Sequence, residues 1–176
     1  MPIKYVQLDA WWYRTHECEQ GYGCACIEDF APDTSAFKWN GTAPSGPGPY
    51  FNSTLAALAA ELDVQWDLYQ NYFCPPRDGK VNVWEAKGYQ FVATASDGTG
   101  FAHVVPEQSR KFFGDVWMQG VAQGMAVAEW DYQSTAYSMM PHYRSNATAA
   151  QVYMAGMADA ALELGVPLQW CMSYPR

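Results

Sequence analysis

Apolar residues form two kinds of segment along the chain, and their order predicts a strand, a helix and a second strand near the N-terminus. Residues 3–12 are rich in aromatic and β-branched side chains, which is typical of a buried strand. Thr54 is a potential helix N-cap, and leucines share one helical face as far as Leu62. Residues 64–73 again have the composition of a strand. A helix therefore separates two apolar strands.

The same order recurs twice further along the chain. A helix is predicted from Pro106 to about Gly124, followed by a strand over 125–132. A third helix is predicted over 147–164, between a capping asparagine and a terminating glycine, and it leads to a strand over 167–174. Strands that alternate with helices in this way favour a parallel sheet with crossover helices.

Polar residues follow the apolar part of each predicted strand. They are Asp9, then Gln70 and Asn71, then Glu129 and Asp131, and finally Ser173. In α/β proteins, ligands bind at the carboxyl ends of parallel strands, so this pattern predicts a site at that edge.

The fold class predicted is α/β, with a partial (β/α)8 TIM-type barrel of parallel strands and crossover helices. Four strands cannot close an eight-stranded barrel, which takes about 250 residues. We interpret residues 1–176 as a single domain that is an incomplete catalytic barrel; a small complete α/β domain is the alternative. Residues 14–53, rich in Gly, Pro, Ser, Thr and Asn, are predicted to be a long loop, functional or disordered.

Composition excludes several classes of protein. The 176 residues are 49% hydrophobic and 16% charged, which is typical of a globular chain. The formal net charge is −8 and no basic run occurs, which argues against nucleic acid as a partner. No apolar stretch approaches the 18 residues of a membrane span, and the N-terminus lacks the pattern of a signal peptide. The sequence gives no indication of a cofactor, so none is predicted, and it does not indicate an oligomeric state.

Three asparagines, Asn40, Asn52 and Asn146, lie in N-glycosylation triplets. A secreted glycoprotein parent is therefore one interpretation, and a simple concentration of Asn, Ser and Thr in loops is the other.

Cysteines offer a weak metal signal. Cys18, Cys24 and Cys26 lie close together with His16, but Cys-x-Cys departs from the spacing of zinc sites. A loop disulfide is favoured over a metal centre, so no metal is predicted.

Asp131 is the main catalytic candidate, because a carboxylate at the end of an apolar strand is costly unless it is used or paired. Glu129 lies two residues earlier, so both carboxylates face the same side of an extended strand. Adjacent acids can have pKa values that are pushed apart, which suits nucleophilic or acid–base chemistry. A structural ion pair with a basic residue of a neighbouring strand is the alternative.

Aromatic residues beside acids indicate a carbohydrate ligand. Asp9 is followed by Trp11 and Trp12, whose rings could stack on a sugar while the carboxylate accepts hydroxyl protons. Core packing of these rings is the alternative. On the second strand, alternation assigns Asp67, Tyr69 and Asn71 to one face, where they are weaker candidates.

Three segments resemble the α-galactosidase-like glycoside hydrolases of families 27 and 36, including their raffinose-synthase relatives. The segments are Tyr5–Trp11, Ala128–Asp131 and Leu168–Arg176. The resemblance implies that Asp9 matches a sugar-binding acid and that Asp131 matches the catalytic nucleophile. It also implies that Cys171 and Arg176 belong to the substrate site.

The resemblance implies retaining hydrolysis or transfer, in which Asp131 attacks the anomeric carbon and a second carboxyl protonates the leaving oxygen. Asp9 and Glu129 would hold hydroxyl groups, while Trp11, Trp12 or Trp130 would provide a stacking wall.

Two positions depart from the family pattern. Glu129 replaces a lysine and Ala10 replaces an acid, which makes a substrate other than a galactoside an open alternative. The general acid is expected beyond Arg176, so we expect no turnover by these residues alone. A non-catalytic carbohydrate-binding or structural α/β domain is the competing function.

Overall fold

The structure, a computed structural model, describes most of the predicted helices and strands. The described residues are 3–9, 13–16, 26–32, 54–70, 83–93, 102–131, 133–134, 137 and 140–171. In chain order the strands are β1 (Tyr5–Leu8), β2 (Tyr13–His16), β3 (Cys26–Pro32), β4 (Gln65–Gln70), β5 (Phe91–Ala93), β6 (Ala102–Val104), β7 (Met125–Trp130) and β8 (Leu168–Trp170). The helices are α1 (Leu55–Leu62), α2 (Val83–Ala86), α3 (Ser109–Ala122), α4 (Pro141–Ser145) and α5 (Ala147–Leu164), with a 3-10 turn at Pro106–Gln108.

Four parallel strands form the main sheet in the order β1-β4-β7-β8. Helices connect them along the chain, with α1 before β4, α3 before β7 and α5 before β8. This arrangement confirms the predicted α/β fold with parallel strands and crossover helices. Within the described residues the sheet is open, as expected of a partial barrel.

Local capping sets the ends of two predicted helices. The Thr54 Oγ1 atom accepts a hydrogen bond from the backbone N–H of Ala57 at 3.2 Å, which starts α1. The Asn146 Oδ1 atom accepts one from the backbone N–H of Ala149 at 3.1 Å, which starts α5. Gly165 ends α5 in the left-handed region with φ 65°. The helices predicted over 54–62 and 147–164 are therefore confirmed.

Other predicted boundaries are corrected by the structure. Among the described residues, the strand predicted over 3–12 comprises residues 5–8 and ends before Asp9, and the strand predicted over 167–174 comprises residues 168–170 and ends before Cys171. The segment 14–53, predicted as a loop, contains most of an antiparallel hairpin formed by β2 and β3. Aromatic composition predicts that a strand forms, but it does not predict how many residues pair with a neighbouring strand. The predicted strands are therefore longer than the observed ones.

Even-numbered side chains of β4 and β7 pack beneath the helices and form the core. Trp66 donates from Nε1 to the backbone oxygen of Leu55 at 2.8 Å, and Leu68 is fully buried. Gln70 also lies on this face, since its Oε1 atom accepts a hydrogen bond from Trp117 Nε1 at 2.7 Å. Gln70 is the last residue of β4, as expected of a polar strand end, but its side chain is buried beneath α3 on the core face and not at the predicted site. Within the described part of the chain, the helices are too short or too polar to cross a membrane.

Candidate functional site

Odd-numbered side chains of the same strands share the opposite face of the sheet. The strand register pairs Gln7 with Asp67, and it aligns Tyr69, Glu129 and Gln169 across three strands. Because side chains alternate along each strand, these polar residues project from the face away from the core. A closed barrel would enclose this face, so it is the candidate site.

Asp131 directly follows β7 and is 4% exposed. Its backbone N–H donates to the carbonyl oxygen of Gln70 at 3.1 Å, which extends the pairing of β7 with β4. Its carboxylate atom Oδ2 accepts a hydrogen bond from the Tyr69 hydroxyl at 2.9 Å. The side chain is thus held at the carboxyl end of the sheet by a neighbouring strand.

Glu129 of β7 lies two residues before Asp131, on the same face of the sheet, and is 3% exposed. Its Oε2 atom accepts a hydrogen bond from Gln7 Nε2 of β1, a residue 122 positions away in the sequence. Its carboxylate is also hydrogen-bonded to the side chains of Cys171 and Gln169. Three neutral side chains from two strands therefore contact this carboxylate.

Electrostatics disfavour the charge on Glu129. Burial raises its pKa first of all, and the hydrogen bond from Cys171 partly opposes that increase. The nearby carboxylates of Asp131 and Asp9 raise the pKa further. The net shift is upward, so Glu129 resists ionisation more than an exposed glutamate does.

Asp67 is the second perturbed acid of this face. It is 9% exposed, and its Oδ1 atom has no hydrogen-bond partner among the described residues. Burial, with a smaller contribution from the charge of Glu129, raises the pKa of Asp67 to about 6. Burial and the charge of Glu129 thus both disfavour the ionisation of Asp67.

The Cys171 thiol contacts both Glu129 of β7 and Asp131, which directly follows β7. It is half-buried, is not part of a disulfide, and is hydrogen-bonded to both Asp131 and Glu129. Burial, reinforced by these two carboxylates, raises the pKa of Cys171 to about 11. The thiol is therefore protonated at neutral pH and can donate its hydrogen to one carboxylate or the other.

The structure separates one predicted site residue from this group. The Trp130 ring lies on the core face, 2% exposed, and packs edge-on against Phe113 of α3 with 4.8 Å between ring centroids. Alternation places it opposite the neighbouring acids, so the expected stacking role for Trp130 has no support in this geometry. Asp9 lies at the exposed end of β1, near enough for its charge to raise the pKa of Glu129.

Four predicted site residues lie outside the described residues: Trp11, Trp12, Asn71 and Arg176. The cysteine-rich segment near His16 is also largely outside them. Among the described side chains, no group of three or more His, Cys, Asp or Glu residues is arranged to hold a metal ion.

Sequence reasoning missed Gln7 and Gln169 as members of the site. Both are neutral amides in short strands and carry no chemical motif. The signal that could have found them is alternation, because each lies two residues before a candidate, Asp9 and Cys171 respectively.

No protein-family model matches this sequence, and no curated protein matches it. Solved structures do match. A family 27 (GH27) β-L-arabinopyranosidase from Geobacillus stearothermophilus is similar with a TM-score of 0.52 and 13% identity, both in its wild-type form and as a variant in complex with arabinose. In both cases the match covers 98% of this chain and 40% of that chain.

A second similar structure is a protein from Bacillus halodurans C-125 assigned as an α-N-acetylgalactosaminidase. Its TM-score is 0.54 with 14% identity, and the match covers 98% of this chain and 42% of that chain. The chain thus spans less than half the length of these structures. At such identities the likeness establishes the fold, and it confirms at the level of fold the resemblance to glycoside hydrolase family 27.

Proposed function

We propose that this chain supplies the nucleophile-bearing part of a retaining glycosidase active site, with Asp131 as the nucleophile. The observation that carries the proposal is the buried Asp131 carboxylate, held by Tyr69 and Cys171 at the carboxyl end of a parallel sheet. This edge is where barrel enzymes place their reacting groups.

The proposed reaction has two steps, formation of a covalent glycosyl-enzyme and its hydrolysis. An Asp131 oxygen forms a bond to the anomeric carbon while the bond to the leaving oxygen breaks, and a general acid gives that oxygen its proton. Water then attacks the anomeric carbon and loses a proton to the former general acid, which now acts as a base. The bond between Asp131 and the sugar breaks, and the Asp131 carboxylate is released. In retaining enzymes the general acid lies about 5–5.5 Å from the nucleophile, and we expect it on a strand that follows Arg176.

Other side chains bind the sugar in this proposal. Asp9, at the exposed end of β1, accepts hydrogen bonds from sugar hydroxyls. The contacts that the family resemblance implies are completed by Trp11, Trp12 and Arg176, and strand alternation adds Asn71 as a weaker candidate.

The substrate proposed is a glycoside whose ring has the galacto configuration. One similar structure is named an arabinopyranosidase and the other is assigned as an N-acetylgalactosaminidase. L-Arabinopyranose has the ring stereochemistry of D-galactopyranose without its exocyclic carbon, and N-acetylgalactosamine has it with an acetamido group at C2, so both names describe the same configuration of ring substituents. This shared configuration supports an α-galactoside-type substrate.

The test is covalent labelling of the full-length natural protein by a cyclitol aziridine of α-galacto configuration. Peptide mass spectrometry should find the label on Asp131. Asp131→Asn, which keeps the shape but loses the charge, should abolish labelling. Asp159→Asn, at an exposed position on α5, should leave it unchanged.

Two results would contradict the hydrolase. A label on another carboxyl would assign the nucleophile elsewhere. Absence of label, combined with galactose binding that persists in Asp131→Asn, would favour the non-catalytic carbohydrate-binding domain.

A further inference from the structure

Gln7 of β1 lies on the face of the sheet that forms the candidate site, and its side chain is exposed. The next residue, Leu8, is buried on the core side, as alternation along a strand requires. The Nε2 atom of Gln7 donates a hydrogen bond to the Oε2 atom of Glu129. Glu129 is 3% exposed, so a buried carboxylate holds an exposed amide on this face.

This hydrogen bond passes over β4, which separates β1 from β7 in the sheet. Neighbouring strands are about 4.8 Å apart, so β1 and β7 are separated by about 10 Å. The register places Gln7 beside Asp67 of β4. It places Glu129 beside Tyr69, further toward the carboxyl edge, so the bond runs diagonally across β4. Two long side chains are needed to bridge this gap, and Gln7 and Glu129 supply them.

The contact with Glu129 determines which way the Gln7 amide points. A carboxylate oxygen accepts hydrogen bonds, so the amide nitrogen, and not the Oε1 atom, faces Glu129. One of the two N–H hydrogens is used in this bond. The second hydrogen and the Oε1 atom make no hydrogen bond to the described residues. The rest of the amide thus offers one donor and one acceptor in a fixed arrangement.

We propose that Gln7 binds a hydroxyl group of the sugar through this amide, and that Glu129 is a positioning residue that orients the amide. The proposal rests on the glycosidase function, because that function places a sugar on this face of the sheet. A hydroxyl group both donates and accepts hydrogen bonds, so it matches an amide that presents a donor and an acceptor together.

The bond to Glu129 makes Gln7 a selective binding group. A glutamine side chain loses much rotamer freedom when it is immobilised by a ligand. Here the bond across β4 restricts the side chain before the sugar binds, so less freedom is lost on binding. A site that is built to bond a hydroxyl group rejects the analogue that lacks it, because the amide is then left without a partner. Gln7 should therefore discriminate between sugars that differ in a single hydroxyl group.

The experiment is calorimetric binding of galactose and its monodeoxy derivatives to the full-length natural protein and to Gln7→Met. Methionine keeps the length of the side chain but has neither the donor nor the acceptor of the amide. For the hydroxyl group that Gln7 contacts, the deoxy sugar should bind about tenfold more weakly than galactose in wild type. In Gln7→Met that difference should fall to about unity, while the differences for the other hydroxyl groups persist.

Gln65→Met is the matched control, because Gln65 is an exposed glutamine on the same face, at the start of β4. It should leave the wild-type pattern unchanged. Equal weakening of every sugar in Gln7→Met would make Gln7 a structural tie between strands and would overturn the proposal. An unchanged pattern in Gln7→Met, or a wild-type protein that does not discriminate between galactose and any deoxy derivative, would overturn it as well.

A second variant keeps the amide but shortens the side chain. In Gln7→Asn the amide no longer reaches across β4 to Glu129, so its orientation is lost. We expect the same hydroxyl preference to disappear as in Gln7→Met. This variant decides the question where Gln7→Met fails to fold, and a preference retained in Gln7→Asn would overturn the positioning role of Glu129.

Failure of this inference is distinguishable from failure of the proposed function. If the aziridine labels Asp131 but the deoxy series is the same in wild type and Gln7→Met, the glycosidase stands and the binding role of Gln7 falls. If no label forms on Asp131, the glycosidase proposal fails, whatever the deoxy series shows for Gln7.

Discussion

The acids of the candidate site differ in their surroundings although they share one face. Asp131 accepts a hydrogen bond from Tyr69 and is bonded to Cys171, whereas the Oδ1 atom of Asp67 has no partner among the described residues. Burial without such partners opposes the ionisation of Asp67. The two aspartates therefore differ in their hydrogen bonding although β4 and β7 are neighbouring strands.

Asp67 should make stability depend on pH. Its pKa is raised from 3.8 to about 6, so its contribution is fully present below pH 3.8 and is lost as the pH rises through 6. Asp67→Asn should therefore be more stable than wild type at pH 7, by about 1–3 kcal/mol, with the advantage gone at pH 3.5. Urea unfolding at both pH values measures this, with Glu61→Gln as the control. An advantage of equal size at pH 3.5 would contradict the prediction.

Cys171 should position Glu129 and Asp131 through its thiol hydrogen. In the full-length natural protein, Cys171→Ala removes that donor and should lower kcat/KM for a galactoside about tenfold. The donor lowers the pKa of Glu129, so its loss should also move the acidic limb of the pH–rate profile to higher pH. Cys171→Ser keeps a donor and should restore the profile. Equal losses in Ala and Ser without a change in the pH profile would indicate a packing role only.

At the scale of elements, the packing of α3 against α5 depends on one glycine. A Cβ atom on Gly156 would lie 2.0 Å from the Ser109 hydroxyl oxygen and 2.7 Å from the backbone nitrogen of Arg110. The Ser109 hydroxyl is itself committed, because it donates to the backbone oxygen of Pro106 at 2.7 Å. The two helices thus approach too closely for any side chain at position 156.

Gly156→Ala should destabilise the protein by about 3 kcal/mol, since backbone as well as side-chain atoms must move. Gly114→Ala is the matched control, because a Cβ atom there meets nothing within 4 Å and alanine favours the helix. It should stabilise by about 0.5–1 kcal/mol. Thermal unfolding of both variants compares them directly. Similar stability for the two would show that α5 can shift away from α3 at little cost.

At the scale of the whole molecule, the buried residue His103 makes stability depend on pH in the direction opposite to Asp67. His103 of β6 lies within hydrogen-bond distance of the Tyr153 hydroxyl, 3.0 Å from Nδ1, and its ring packs against Tyr143 and Tyr153. Burial lowers the pKa of His103 to about 4. The fold therefore holds one histidine neutral and one aspartate protonated over overlapping pH ranges.

The stability supplied by neutral His103 is present above pH 6.5 and is lost as the pH falls through 4, by about 3 kcal/mol in total. In His103→Gln, the stability should no longer decrease as the pH falls from 6.5 to 4, whatever the stability of the variant at pH 7. The measurement is the unfolding midpoint in urea at pH 4, 5, 6 and 7. His142→Gln, at an exposed position, should keep the wild-type slope. An unchanged slope in His103→Gln would assign the acid sensitivity to other groups.

The sequence determined those features that depend on neighbouring residues. Thr54, Asn146 and Gly165 set helix ends because caps act within one turn, and the alternation of helices and strands predicted the parallel sheet. Alternation also placed Glu129 and Asp131 on one side, since consecutive side chains of a strand must point in opposite directions.

The tertiary structure decided which side chains contact one another across the strands. Only the register brings Gln7 to Glu129 over 122 residues, and only packing beneath α3 assigns Gln70 and Trp130 to the core. Strand register and helix docking result from the burial of the entire apolar face, a sum over distant residues that no local window contains. For the same reason the pKa of Asp67 follows from its folded surroundings, because desolvation exists only once the sheet has formed.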